Sequence, residues 1–215
     1  MSGQVFLLAT RSAGKLRELR EIFAELGLKI TDVSGVGIPE SAAEEQLECH
    51  ETFEANALAK VRYFFEISGG LPTFGDDSGM CVDVLGGEPG VHSKRWSARA
   101  DLDGDALDAA NNAKLVARMT AARRSNEKGF TDSARYVCAA AFKDAAEEEM
   151  RRGEIEGRVL ENPRGSAGFG YDPYFEAPDL GGTFAESSME NTARNSHRSR
   201  AFRALLSALR AQGRI

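Results

Sequence analysis

The chain is poor in the residues that staple or metallate small folds. Its three cysteines, Cys49, Cys81 and Cys138, are odd in number, widely spaced and form no CxxC pair. That excludes a disulfide framework or a zinc ribbon and fits reduced thiols in a cytosolic protein, each a small buried hydrophobe. Long apolar runs are missing too. Val5–Ala9 is too short for a signal-peptide core, and nothing approaches the ~20 apolar residues that span a bilayer. Basic charge is not in excess: 27 Lys and Arg stand against 33 Asp and Glu, for a net charge of −6. A protein that coats nucleic acid needs a basic face, so neither nucleic acid nor membrane is an expected partner. A nucleotide ligand stays open, because a pocket needs only a few local cations and a metal. Repeats and low-complexity tracts are absent as well. The 215 residues read as one cytoplasmic domain over 1–215, large enough to divide into two small lobes.

What is present is an alternation of strand-like and helix-like segments. Gln4–Ala9 reads as a buried strand, Thr10–Gly14 as a polar loop, and Lys15–Leu26 as a helix. That helix carries Leu16, Leu19, Ile22, Phe23 and Leu26 at helical spacing, with Gly27 as its stop. Strand, glycine-containing loop and helix together aim backbone N–H groups at an anion. Ile30–Val36 suggests a second strand and Pro39–Glu51 an acidic loop. Thr52–Ser68 suggests a helix with Phe53, Leu58, Val61, Phe64 and Phe65 inward. Asp105–Ala122 and Ser196–Gln212 complete the helices. Arg135–Lys143 and Glu154–Leu160 pair as strands, with a charged turn at Glu147–Gly153. A glycine-rich loop, Pro163–Asp172, leads to a short strand at Tyr174–Phe175. The class is α/β.

Four groups of residues could carry chemistry. In the first loop, TRSAGK at 10–15, Thr10 and Ser12 can donate to phosphate oxygens and Lys15 can place a charge there. It is not a Walker A loop, since Leu16 follows the lysine. Asp76 and Asp77 in the DDSG turn read either as an acidic surface turn or as a pair neutralised by a hard divalent cation. Glu44, Glu45, Glu48 and Glu51, ahead of Asn56 and Lys60, suit a helix start, and one of them could complete a metal site with Asp77. GFGYD at 168–172 lets backbone approach a ligand closely and offers an aromatic for stacking, or is a turn with core aromatics. SHR at 196–198 offers directed donors, or is a Ser N-cap followed by exposed basic residues.

Taken in order, TRSAGK, TFEANALAK at 52–60, DDSGMCVDVLGGEPGVHSKRWS at 76–97, GFGYDPYF at 168–175 and SHRSRA at 196–201 resemble the Ham1 family of inosine/xanthosine triphosphate pyrophosphatases. The resemblance implies an elongated mixed sheet flanked by helices, in two lobes with the active-site cleft between them, and a homodimer. It implies Mg²⁺-dependent cleavage of ITP, dITP or XTP to the monophosphate and pyrophosphate. Carried over, Thr10, Arg11, Ser12, Ala13, Gly14, Lys15 and Lys60 would hold the phosphates. Asp77 would bind Mg²⁺ and activate water, with Asp76 at the same metal in support. Glu48 would be a further metal ligand, with Glu45 as fallback, and Ser78 would touch substrate. Phe169, Gly170, Tyr171 and Asp172 would form the base pocket with His197 and Arg198.

Four positions depart from the family pattern. Its first-loop Gly and Asn are Arg11 and Ser12, its glutamate before Asn56 is Ala55, and its lysine five residues before the histidine is Thr192, with Arg194 two residues on. These leave two alternatives open: a related hydrolase of pyrimidine or modified nucleotides, and a non-catalytic nucleotide-binding protein.

Overall fold

The computed structural model describes residues 3–126 and 128–215. Its strands are β1 (Val5–Leu8), β2 (Lys29–Asp32), β3 (Thr73–Val82), β4 (Ser133–Lys143), β5 (Glu148–Val159), β6 (Phe175–Ala177) and β7 (Gly182–Thr183). They form one mixed sheet in the order β2-β1-β3-β4-β5-β6-β7. β1 runs parallel to both β2 and β3, whereas β6 is antiparallel to β5 and β7. The helices are α1 (Ala13–Glu25), α2 (Phe53–Ile67), α3 (Gly104–Ser125), α4 (Met189–Asn195) and α5 (His197–Ala211). By contacts the chain forms two compact units. The first is Met1–Asp77, Cys138–Glu154 and Ala193–Ile215; the second is Ser78–Val137 and Ile155–Thr192.

In the first unit, strand alternation sorts side chains onto two faces. Phe6 and Leu8 of β1 and Phe74 of β3 join Leu19, Ile22 and Phe23 of α1 and Phe202, Leu205, Leu206 and Leu209 of α5 in one core. Leu7 and Ala9 point the other way, into a smaller cluster with Val33 and with Phe64 of α2. Phe74 is the hub of the larger core, with ring centroids 4.5 Å from Phe142 and 4.9 Å from Phe23. Each such buried ring contributes roughly 1.5–3 kcal/mol. The second unit packs Trp96, Leu115 and Met119 against Tyr136, Ile155, Tyr171 and Phe175.

Several sequence expectations change. The acidic DDSG is no turn: it lies inside the ten-residue strand β3. The expected turn at Glu147–Gly153 is mostly strand, and only residues 144–147 reverse the chain. Its charges mislead because they are matched inside the first unit, where Arg62 pairs with Glu148 at 2.6 Å and Arg152 with Glu54 at 2.8 Å. The second strand ends at Asp32, with a tight turn after it. On α2, Leu58 and Phe65 are half-buried, and Asn56 and Lys60 are buried with Phe53, Val61 and Phe64. Only Cys138 is a fully buried cysteine; Cys49 is exposed and Cys81 intermediate, and none of the three is in a disulfide.

Candidate active site

β3 places Asp76 and Asp77 on opposite faces of the sheet. Asp76 follows the Phe74 side. Its Oδ2 meets Lys15 Nζ of α1 at 2.9 Å and Arg198 Nε of α5 at 3.4 Å. The thiol of Cys138 lies 3.8 Å from the same oxygen. Asp77 follows the Gly75 side, toward α2, where Asn56 Nδ2 donates to its Oδ2 at 2.8 Å. Gly75 is needed there because an added Cβ would lie 2.9 Å from Val61 Cγ1 and 3.3 Å from Ala9 Cβ. Without a side chain at Gly75, α2 sits close enough for Asn56 and Lys60 to reach β3. Lys60 Nζ donates to the Asp76 carbonyl at 2.8 Å and pairs with Glu48 at 2.6 Å.

These surroundings drive the two carboxyls apart. Burial works against the Asp76 charge, but Lys15, Arg198 and Lys60 outweigh it and hold its pKa well below the usual carboxylate range. For Asp77 burial prevails: Lys15 and Lys60 oppose it, Glu48 adds repulsion, and the pKa is raised. Burial also opposes the Lys60 charge, yet Glu48, Asp76 and Asp77 more than offset it and raise its pKa.

The first loop is built as a helix start. Ser12 caps α1 by accepting from Lys15 N, and Thr10 Oγ1 accepts from Ser12 N at 3.2 Å. Ala13 and Gly14 lie in the first turn of α1. Arg11 turns to Glu44, donating to both carboxylate oxygens at 2.7 Å, and to the carbonyl of Pro39 at 2.9 Å. The Glu44 carboxylate is therefore occupied by Arg11, while Glu48 stands beside Lys60 and Asp77.

SHR opens α5, and the Ser N-cap expected there holds. Ser196 is an N-cap, accepting from Ser199 N at 3.0 Å. His197 and Arg198 are buried, however, not exposed. Arg198 pairs with Glu18 of α1, and Ser196 Oγ donates to the same carboxylate. Burial, then the Arg198 charge, push His197 well below the ordinary imidazole pKa, so it is neutral near pH 7. Gly153 of β5 lets α5 seat here, since a Cβ would lie 2.4 Å from the carbonyl of His197.

In the second unit, Asp172 folds the GFGYD loop back on itself. Its Oδ2 accepts from Phe169 N at 2.9 Å and its Oδ1 from Tyr136 OH at 3.2 Å. Tyr171 is a core residue whose hydroxyl donates to Ser93 O at 2.8 Å, and burial raises its pKa. Phe169 is 41% exposed and is the aromatic this loop offers to a ligand. Ser78 is half-buried on β3, Thr192 is half-buried on α4, and Arg194 is exposed there.

The structure thus brings Lys15, Lys60, Glu48, Asp76, Asp77 and Arg198 together, with the two aspartates on different faces of β3. Sequence reasoning missed Glu18, which holds both Ser196 and Arg198, and gave no role to Asn56, which orients Asp77. For Glu18 the available signal was a charged residue directly before Leu19 on the inward stripe of α1.

Among the described residues, no three His, Cys, Asp or Glu side chains converge as a ready metal cage. The donor set nevertheless fits a hard divalent cation. Asp77 and Glu48 are close enough for their charges to interact, whereas Asp76, expected at the same metal, leaves by the other face of β3 toward Lys15 and Arg198. Mg²⁺ commonly takes one or two carboxylates and completes its shell with water and phosphate oxygens.

A mixed α/β fold with lysines converging on strand-borne carboxylates defines a protein that handles phosphorylated ligands. Comparison with known proteins sharpens this. The model of the Ham1 family matches residues 6–208. A dITP/XTP pyrophosphatase of Symbiobacterium thermophilum is 42% identical over 97% of this chain and 96% of its own length. A HAM1 protein from Coxiella burnetii superposes with a TM-score of 0.79 at 29% identity, over 97% of this chain and 99% of that one. A nucleoside-triphosphatase / dITP/XTP pyrophosphatase from Mycobacterium abscessus gives a TM-score of 0.67 at 36% identity, over 94% and 99%. The chain belongs to the Ham1 family.

Proposed function

We propose that the chain hydrolyses inosine, deoxyinosine and xanthosine triphosphates to the monophosphate and pyrophosphate. The observation that carries this reading is the unequal pair on β3: Asp76 is fixed as an anion by Lys15 and Arg198, and Asp77, whose proton affinity burial raises, is held by Asn56 on the other face. Phosphoryl-group hydrolysis is governed by positioning and charge neutralisation, and this cluster supplies both. The relatives named dITP/XTP pyrophosphatase support the choice of base.

Lys15 and Lys60 hold the phosphate oxygens. Ser12 and the first turn of α1 add backbone donors. Asn56 fixes Asp77 through Oδ2, so Oδ1 is the oxygen that takes the proton from the attacking water. Asp77 and Glu48 would hold Mg²⁺, which when bound supplies charge neutralisation on the phosphates and a more acidic water. Asp76 supports them by keeping Lys15 and Arg198 in place. Phe169, the exposed aromatic of the GFGYD loop, stacks on the base. A homodimer is part of the same proposal.

The test is product analysis with Mg²⁺ and a panel of ITP, dITP, XTP, GTP and dTTP. Pyrophosphate released from the first three in preference to GTP is expected. Orthophosphate as the product refutes the mechanism. Preference for dTTP moves the function to pyrimidine nucleotides, the reading that Thr192 in place of a lysine favours.

A further inference from the structure

Helix α3 carries polar residues along its inward side. Asn111 is buried, accepts from Ser97 N at 2.7 Å and donates to Lys94 O at 2.9 Å. Asp108 and Asn112, one helical turn apart, do something different. Asp108 Oδ2 accepts from the N–H of Gly170 at 2.7 Å, and Asn112 Nδ2 donates to the carbonyl of the same residue at 3.0 Å. Gly170 is thus gripped from both sides by two residues of one helix.

This grip falls between two other ties of the loop. Asp172 ties back the N–H of Phe169, and the Tyr171 hydroxyl anchors the far side to Ser93. Gly170 lies between them with φ of 62°, a left-handed conformation that glycine adopts without penalty and holds with little intrinsic preference. Next to it stands the exposed Phe169 ring. A flexible residue beside the base-stacking aromatic needs an external constraint, and the Asp108 and Asn112 side chains provide it from a rigid helix.

We infer that Asp108 and Asn112 are positioning residues for base recognition: they fix the Gly170 peptide and so the presentation of Phe169, without touching the reacting phosphates. The inference rests on the function proposed above. Because the phosphate end is held by other residues, the grip acts on substrate capture and not on the hydrolytic step.

The test compares Asp108→Ala, Asp108→Asn and Asn112→Ala with the wild-type protein in steady-state hydrolysis of ITP, with inorganic pyrophosphate as a competitive inhibitor. Both alanine variants should raise KM for ITP about tenfold, the scale of one lost hydrogen bond to a charged or buried partner. Turnover at saturation and the inhibition constant of pyrophosphate should stay within about twofold of wild type, a small effect on this scale. Asp108→Asn keeps an oxygen that can accept from Gly170 N–H and should recover most of the loss. Alanine is a strong helix former, and Asn112→Ala provides an independent arm if Asp108→Ala folds poorly. An unchanged KM in both alanine variants overturns the inference. So does a parallel loss of turnover, pyrophosphate affinity and melting temperature, which marks a purely structural role. A wild-type protein that releases no pyrophosphate from any nucleotide overturns the functional reading and this inference with it.

Discussion

Glu18→Gln is the sharpest test of how the site is held. Glu18 and Arg198 form an ion pair whose side chains are 5% and 3% exposed. Removing one member of a buried pair typically costs about 3–5 kcal/mol, because the other charge is left in a poor solvent. Two features move the expected cost to the lower end. Arg198 keeps Asp76 Oδ2 at 3.4 Å, and glutamine can still accept from Ser196 Oγ. A loss of about 3 kcal/mol is therefore expected. At roughly 2–4 °C per kcal/mol for a chain of this size, the melting temperature should fall by about 6–12 °C. Urea unfolding followed by circular dichroism measures the first quantity and calorimetry the second. Glu21→Gln is the control: Glu21 lies on the exposed side of the same helix and should change stability by less than about 0.5 kcal/mol. If Glu18→Gln is as mild as the control, the buried network contributes no net stability and the reasoning fails.

Three further outcomes follow from the same geometry. Asp77→Asn should lower turnover by about 10²–10⁴ if its Oδ1 is the base, while stability holds or rises, because the fold already disfavours the Asp77 charge; kcat near wild type removes the assignment. Gly153→Ala forces a Cβ to 2.4 Å from the backbone of α5 and should cost at least about 1–3 kcal/mol in urea unfolding; wild-type stability means α5 can shift freely. His197 has a folded-state pKa below that of the unfolded chain, so its contribution to stability is complete above pH ~6.5 and falls by up to about 1.4 kcal/mol per unit as the pH drops toward the folded value. Stability profiles of wild type and His197→Gln between those limits should diverge, and identical slopes rule this out.

The boundaries of α1, α2 and α5 were legible because each carries an apolar stripe and a capping residue, Ser12, Thr52 and Ser196. β4 was legible from its apolar run. Of strand β5 only the second half, read as Glu154–Leu160, was legible, since its first half is charged and the partners of those charges lie far away in sequence, Arg62 and Glu54 among them. The candidate site divides the same way. Lys15, Lys60, Asp77 and Glu48 could be named from the family resemblance, and the structure places them near one another. Glu18 could not, because one glutamate among the three on α1 looks like surface until Arg198 arrives from 180 residues on. Nor could the grip of Asp108 and Asn112 on Gly170, which depends on where α3 lies.

The acid pair itself shows how a sequence rule can be sound and still misapplied. Adjacent carboxylates raise each other's pKa when they share one environment, as they would in a surface turn. A strand removes that condition, because successive side chains leave by opposite faces. Asp76 thereby receives α1 and α5, which bring Lys15 and Arg198, and Asp77 receives α2, which brings Asn56. Lys60 spans the two by bonding the Asp76 carbonyl while lying near both carboxylates. The sheet thus separates one doubled acidic motif into a permanent anion that anchors cations and a proton acceptor of raised affinity. Shifting the pair together by one position along β3 would send each aspartate to the other face, and the charge count of the motif would not reveal it.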